Sequence, residues 1–160
     1  MFRTMLLATA GLLCSASLVQ AVEPSAPSVD YGKTVSIIGG CNDCHTAGYN
    51  ESGGKIDPAT ALKGSVVGWQ GPWGTTYPAN LRLLAAKMSE DDWVKYLQTF
   101  TAKPPMPFYN VQAMDEIQMR SLHMYIASLG DPGDPAPDYV PPGGAVKTPY
   151  TVAAPPTMPK

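Results

Sequence analysis

The 160-residue chain has only three cysteines, Cys14, Cys41 and Cys44, and two histidines, His45 and His123. A closed tetrahedral zinc shell draws four ligands from these residue types, and too few remain outside a single short stretch to build one. Charge is sparse too. Charged residues make up 15% of the chain and the net charge is −2, so no basic field invites nucleic acid. No apolar run approaches the roughly 20 residues that a bilayer crossing requires. Internal repeats, phosphate-cradling glycine loops and nucleophile–base constellations are all missing, and no motif places an acid, base or nucleophile against a substrate.

The longest apolar run, residues 5–13, follows Arg3 and leads through small residues to Val19-Gln20-Ala21. This has the form of a secretory leader ending in a small-x-small cleavage site. Residues 1–21 are therefore expected to be removed, leaving a mature protein without a membrane span, exported to the periplasm, with a net charge of −3 once Arg3 is lost. Cys14 lies inside the leader, so both remaining cysteines belong to one motif.

That motif is Cys41-Asn42-Asp43-Cys44-His45. Two thiols and an imidazole at this spacing are what covalent attachment of a c-type haem requires: each thiol adds across one vinyl group, and the imidazole turns onto the iron. Three other readings compete. A thioredoxin-like pair wants a βαβ context that the flanks do not supply, a zinc site lacks further ligands, and a disulfide would close a very small loop and leave His45 without a role. Export agrees with haem attachment on the oxidising side of a membrane.

Around the motif the pattern is helical. Residues 22–29 read as a mobile lead-in, Asp30 as the N-cap of a helix over 30–38, and Gly39-Gly40 as its stop. Residues 46–80 are dominated by turn formers and read as a long loop wrapping a haem edge. Within it Trp69, Trp73 and Tyr77 either pack the loop down or line the haem, where Asn80 and Arg82 are further candidates for its propionates. A short helix is expected over 81–87. Ser89 then caps another whose first turn carries Glu90, Asp91 and Asp92 and whose Trp93, Tyr96, Leu97 and Phe100 form a core-facing stripe. Met106 sits in Pro104-Pro105-Met106-Pro107, where the prolines stiffen an extended backbone able to present one sulfur. The ordinary role of methionine is core filler, which suits Met88, Met114, Met119 and Met124. A last helix is expected over 111–129, with His123 a surface or partly packed side chain on it rather than a ligand. Residues 131–160 hold nine of the seventeen prolines and read as an extended tail, free in water or laid along the domain surface through Tyr139, Val140 and Tyr150.

The order of these parts, ending in Tyr125-Ile126-Ala127-Ser128-Leu129, resembles the mono-haem class I cytochromes c. The run Gly71-Pro72-Trp73-Gly74-Thr75-Thr76-Tyr77-Pro78-Ala79-Asn80-Leu81 and the run Met106-Pro107-Phe108-Tyr109 are similar to the haem domains in cytochrome subunits of bacterial periplasmic alcohol dehydrogenases. The resemblance covers residues 30–130. It implies that Cys41 and Cys44 form the thioethers, that His45 is the proximal ligand and Met106 the distal one, and that Pro72 offers its carbonyl to the other nitrogen of His45.

The expected architecture is accordingly all-α: a cytochrome c-like fold with one covalent haem c, the helices 30–38 and 111–129 crossing, and long loops wrapping the haem. The expected activity is one-electron transfer with redox protein partners such as a dehydrogenase, a terminal oxidase or other cytochromes, and no catalysis by the chain itself. The alternatives are a tightly bound cytochrome subunit of a periplasmic dehydrogenase or oxidase complex, with the tail as a strap, and a small peroxidase or gas-binding haem protein.

Overall fold

The computed structural model describes residues 24–153, so the leader assigned to residues 1–21 lies outside the described residues. Helix α1 (Val29–Ile38) starts two residues earlier than a cap at Asp30 implies. Ser28 is its cap, its Oγ accepting from the Tyr31 N–H at 3.2 Å, while Asp30 falls in the first turn, where a carboxylate suits the helix dipole. At the other end Gly40, with φ 67°, turns the chain into the short helix α2 (Cys41–His45). This left-handed conformation is one that glycine adopts without strain.

Helices α3 (Leu81–Ala85) and α4 (Glu90–Thr99) lie close to the expected ranges, capped by Asn80 and Ser89. The single helix expected over 111–129 is instead two: α5 (Phe108–Gln112) and α6 (Glu116–Ser128). The division falls at Asp115. Its carboxylate accepts from the Gln118 N–H at 2.8 Å while the Gln118 side chain accepts from the Asp115 N–H at 3.0 Å, a reciprocal cap that starts a new helix.

The all-α expectation is corrected. Among the described residues a three-stranded mixed sheet accompanies six helices: β1 (Gly68–Gly71), β2 (Gly74–Thr76) and β3 (Tyr150–Val152), in the order β2-β1-β3. β1 pairs antiparallel with β2 and parallel with β3. The chain is thus a mixture of helix and sheet, and the segment 46–80 is not loop throughout. Two of its strands begin or end in glycine, and the third comes from the proline-rich tail, so none has the long alternation that marks a strand in sequence.

The tail is bound to the domain. The Thr75 and Val140 backbones exchange hydrogen bonds at 2.7 and 2.9 Å, Tyr77 and Thr148 share a hydroxyl hydrogen bond at 2.7 Å, and the Asn80 amide donates to the Pro132 and Asp134 carbonyls. Of the two courses open to it, the tail takes the one along the domain surface.

The core gathers Val35, Leu62, Trp93, Leu97, Met119, Leu122 and Ile126, with Met88 and Met114 packed against it. α1 packs against α6 at Gly32, where an added Cβ would lie 1.9 Å from the Ser121 carbonyl oxygen and 2.8 Å from the Tyr125 Cβ. Both neighbours are held by a helix backbone and cannot yield. Gly32→Ala is therefore expected to destabilise the fold by about 3 kcal/mol, the upper part of the overpacking range, read as a lower urea midpoint at an unchanged slope. No helix among the described residues is long and apolar enough to cross a membrane.

Candidate functional site

Helix α2 is held by a buried polar chain. Asn42, between the two thiols, is 1% exposed. Its amide donates to the Ser36 carbonyl and Oγ, both at 3.2 Å, and its Oδ1 accepts from the Thr46 hydroxyl at 2.8 Å. The Thr46 Oγ1 in turn accepts from the Leu62 N–H at 2.9 Å. The motif is thereby tied back to α1 and forward to the loop, and each buried polar atom in the chain of contacts gains a partner.

His45 is buried, and its Nδ1 lies 2.7 Å from the Ala79 carbonyl oxygen. A carbonyl only accepts, so Nδ1 carries the proton and Nε2 keeps its lone pair for a ligand. The Ala79 carbonyl is itself well fixed. The Gly64 N–H donates to the His45 carbonyl at 2.8 Å and the Leu81 N–H to the Leu62 carbonyl at 2.9 Å. A Cβ on Gly64, whose φ is 82°, would stand 2.5 Å from the Pro78 carbonyl oxygen. Burial lowers the His45 pKa, partly offset by the bond to Ala79, and so favours the neutral imidazole that metals bind.

Cys41, Cys44 and His45 line a cavity of about 540 Å³, within the size range of small-molecule and cofactor sites. The stripe of α4 and its C-cap lines it too, through Trp93, Tyr96, Leu97 and Phe100. These residues serve core and cavity together. Met106 lines the same cavity from the proline loop, 61 positions beyond His45 in sequence, and Met114 is a second sulfur on the wall. Tyr77 lines it as well, with Trp69, Thr76 and, from the tail, Pro137 and Tyr139.

Three other candidates stand elsewhere. Gly71 pairs with Gly74, which makes Pro72 and Trp73 the turn of the β1–β2 hairpin, away from the cavity that the hairpin's base helps to line. Pro72 faces a separate groove shared with Pro141 and Pro142, and the carbonyl on His45 is that of Ala79 instead. Trp73 accepts from the Tyr139 hydroxyl through its carbonyl at 2.6 Å, and its Nε1 is buried without a hydrogen-bond partner among the described residues.

Arg82, the third, is buried as a structural staple, not a propionate partner. It donates to the carbonyls of Pro58, Ala61, Leu129 and Asp131, joining the long loop to the end of α6. Arg82→Leu would leave several of these acceptors unpaired, and the expected cost is about 3 kcal/mol at 1–3 kcal/mol for each buried orphan, measured by urea unfolding. Asn80 likewise caps α3 and holds the tail. His123 lies on α6 as a half-buried side chain tilted against Trp93, the ring centroids 5.6 Å apart.

The donor chemistry suits a c-type haem. Both cysteines are free thiols, and burial pushes the Cys41 thiol up to about 11. An activated redox pair has a lowered attacking thiol, the opposite direction from the shift at Cys41. Among the described residues no three His, Cys, Asp or Glu side chains gather as a metal cage, whereas an iron already held by a macrocycle asks only for axial ligands.

Sequence reasoning passed over Asn42 and Thr46, although their i, i+4 spacing with the motif between is a legible signal. It could not have found Ala79, which acts through its backbone alone. Comparison of the chain with protein-family models, with curated proteins and with solved structures finds no match.

Proposed function

We propose that the chain carries one covalent haem c and transfers single electrons between redox proteins in the periplasm. The observation that supports this best is that Cys41, Cys44, His45 and Met106, brought from two distant segments, line one largely apolar cavity of about 540 Å³. Cys41 and Cys44 would hold the haem by thioethers, with His45 through Nε2 and Met106 through its sulfur as axial ligands. When bound, the haem supplies reversible one-electron exchange at a potential raised by His/Met ligation.

The chain's own work is to position and exclude. The Ala79 carbonyl orients the imidazole through Nδ1–H and increases its basicity as a ligand. The Asn42 network holds both thiols at one end of the cavity. The aromatic side chains Trp93, Tyr96 and Phe100, which line the cavity, would exclude water from a haem held there and so favour electron exchange over ligand exchange. The resemblance to mono-haem class I cytochromes c supports the reading through the motif and the methionine loop, not through an all-α architecture. The leader supports the periplasmic address.

The alternative, a tightly bound subunit with the tail as a strap, is separated from a free shuttle by stable copurification with a large partner. The test is covalent attachment. Protein purified from the periplasm of cells able to mature c-type cytochromes should keep its haem on a denaturing gel and show no reactive thiol. Cys41→Ala or Cys44→Ala should lower the yield of holoprotein, and the double variant should carry no covalent haem. Haem retained by the denatured double variant would sink the proposal.

A further inference from the structure

The loop that presents Met106 makes few bonds of its own: the Met106 N–H donates to the Lys103 carbonyl at 3.3 Å and the Phe108 N–H to the Met106 carbonyl at 2.9 Å. Its other ties run to the β-hairpin and to the tail. The Thr76 hydroxyl donates to the Pro104 carbonyl at 2.8 Å. Three residues before the methionine, the Lys103 ammonium stands 4.8 Å from the centroid of the Tyr139 ring, within the reach of a cation–π contact.

Tyr139 is well placed to serve as an anchor. Its hydroxyl donates to the Trp73 carbonyl at 2.6 Å, and its neighbour Val140 is paired on both sides with Thr75. The tail is also pressed against the hairpin: a Cβ on Gly74 would lie 2.3 Å from the Val140 carbonyl oxygen. Tyr139, Lys103 and Met106 all line the cavity, and Lys103 is the one Lys or Arg side chain among its lining residues.

We infer that the tail latches the methionine loop through Tyr139 and Lys103, and that Tyr139 is a positioning residue for the sulfur of Met106. A thioether is a weak ligand, so its occupancy depends on how far the backbone behind it is confined. The hairpin and tail supply that confinement from outside the loop, which has no helix or strand to confine itself. The inference rests on the proposed function in one respect, that Met106 ligates iron. The latch on the loop itself does not need the cofactor.

The test uses the full-length purified holoprotein and two variants, Tyr139→Leu and Lys103→Gln, the second an exposed position at which folding is preserved. Tyr150→Ser, at the far end of the tail, is the control. Hydrogen exchange is followed at the Met106 and Phe108 amides, the two in this proline stretch that carry an N–H, and carbon monoxide association with the reduced protein is followed in parallel. Both variants are expected to speed exchange at these two amides and to accelerate carbon monoxide association about tenfold, as the population with the sulfur displaced grows. The control should match wild type in both measurements.

Wild-type behaviour in both variants would overturn the inference, and so would faster exchange without faster carbon monoxide association, since the loop would then be latched for stability alone. Failure of the haem reading is seen separately, as a wild-type protein without covalent haem or a Met106→Ala variant with an unchanged spectrum.

Discussion

Met106→Ala is expected to convert a closed redox site into an open one. The reduced variant should bind carbon monoxide far faster and more tightly than the native protein, whose association is limited by displacement of the sulfur, and its potential should fall by more than about 0.1 V, a modest part of the roughly 0.8 V range that axial ligands span. The reason lies in the donor set. With Nδ1 of His45 committed to the Ala79 carbonyl, Nε2 is free to ligate the iron of the proposed haem, and the second ligand would be a sulfur on the cavity wall. Two methionines line that wall, Met106 and Met114. Met114 packs against the core, its Cε standing 3.2 Å from where a Cβ on Gly39 would be, whereas Met106 sits outside the core cluster in a loop built from prolines. Met88, the other plausible sulfur by sequence order, is core-packed and does not line the cavity. A Met114→Ala variant that opens the site while Met106→Ala stays silent would reverse the assignment. Carbon monoxide titration of the two reduced variants decides it.

Truncation after Asp131 is expected to abolish stable holoprotein, contrary to what the composition of residues 131–160 suggests. The cut removes β3 from its pairing with β1, the two Thr75–Val140 hydrogen bonds, the hydroxyl bond between Tyr77 and Thr148, and the bond from Tyr139 to Trp73. At about 1 kcal/mol each these contacts sum to on the order of 5 kcal/mol, comparable with the whole 5–15 kcal/mol that holds a typical domain together. The cut also strips Pro137 and Tyr139 from the cavity. Recovery of covalent haem and the urea midpoint of the truncated chain are the measurements. A truncated protein with wild-type yield, spectrum and midpoint would show that the tail contributes nothing.

Much of the helical frame was legible because its signals are local. Ser89 followed by three acids and Gly39-Gly40 ahead of the first thiol each act within a few residues, and the helices lie close to those marks, whereas Asn80, read as a propionate candidate, turns out to cap α3. The local signals also misled where two of them competed. Asp30 reads as a cap, yet Ser28 is the cap. The apolar pattern runs from Val111 to Leu129 without an evident stop, yet the reciprocal bonds of Asp115 and Gln118 divide it. The acids at the start of α4 read as helix capping alone, and Glu90 and Asp91 also grip Arg120 of α6 at 2.8 and 2.7 Å.

The sequence by itself determined which groups the proposed attachment can draw on: two thiols and an imidazole in five residues, one methionine framed by prolines, and an N-terminal stretch with the form of a leader. These are covalent facts of residue type and spacing. Only the tertiary structure decided which carbonyl orients His45, which aromatics wall the cavity, and what a proline-rich tail does. The Ala79 carbonyl has no side-chain signature, since every residue offers the same group. Trp69 and Trp73 look alike in sequence, and a two-residue hairpin turn sends one to the cavity and the other away from it. The tail cannot form a core of its own, but its free backbone groups can complete the edge of a sheet whose other strand lies some 80 residues earlier. That pairing is a long-range choice, made by whichever edge the folded domain leaves open, and no window of local sequence contains it.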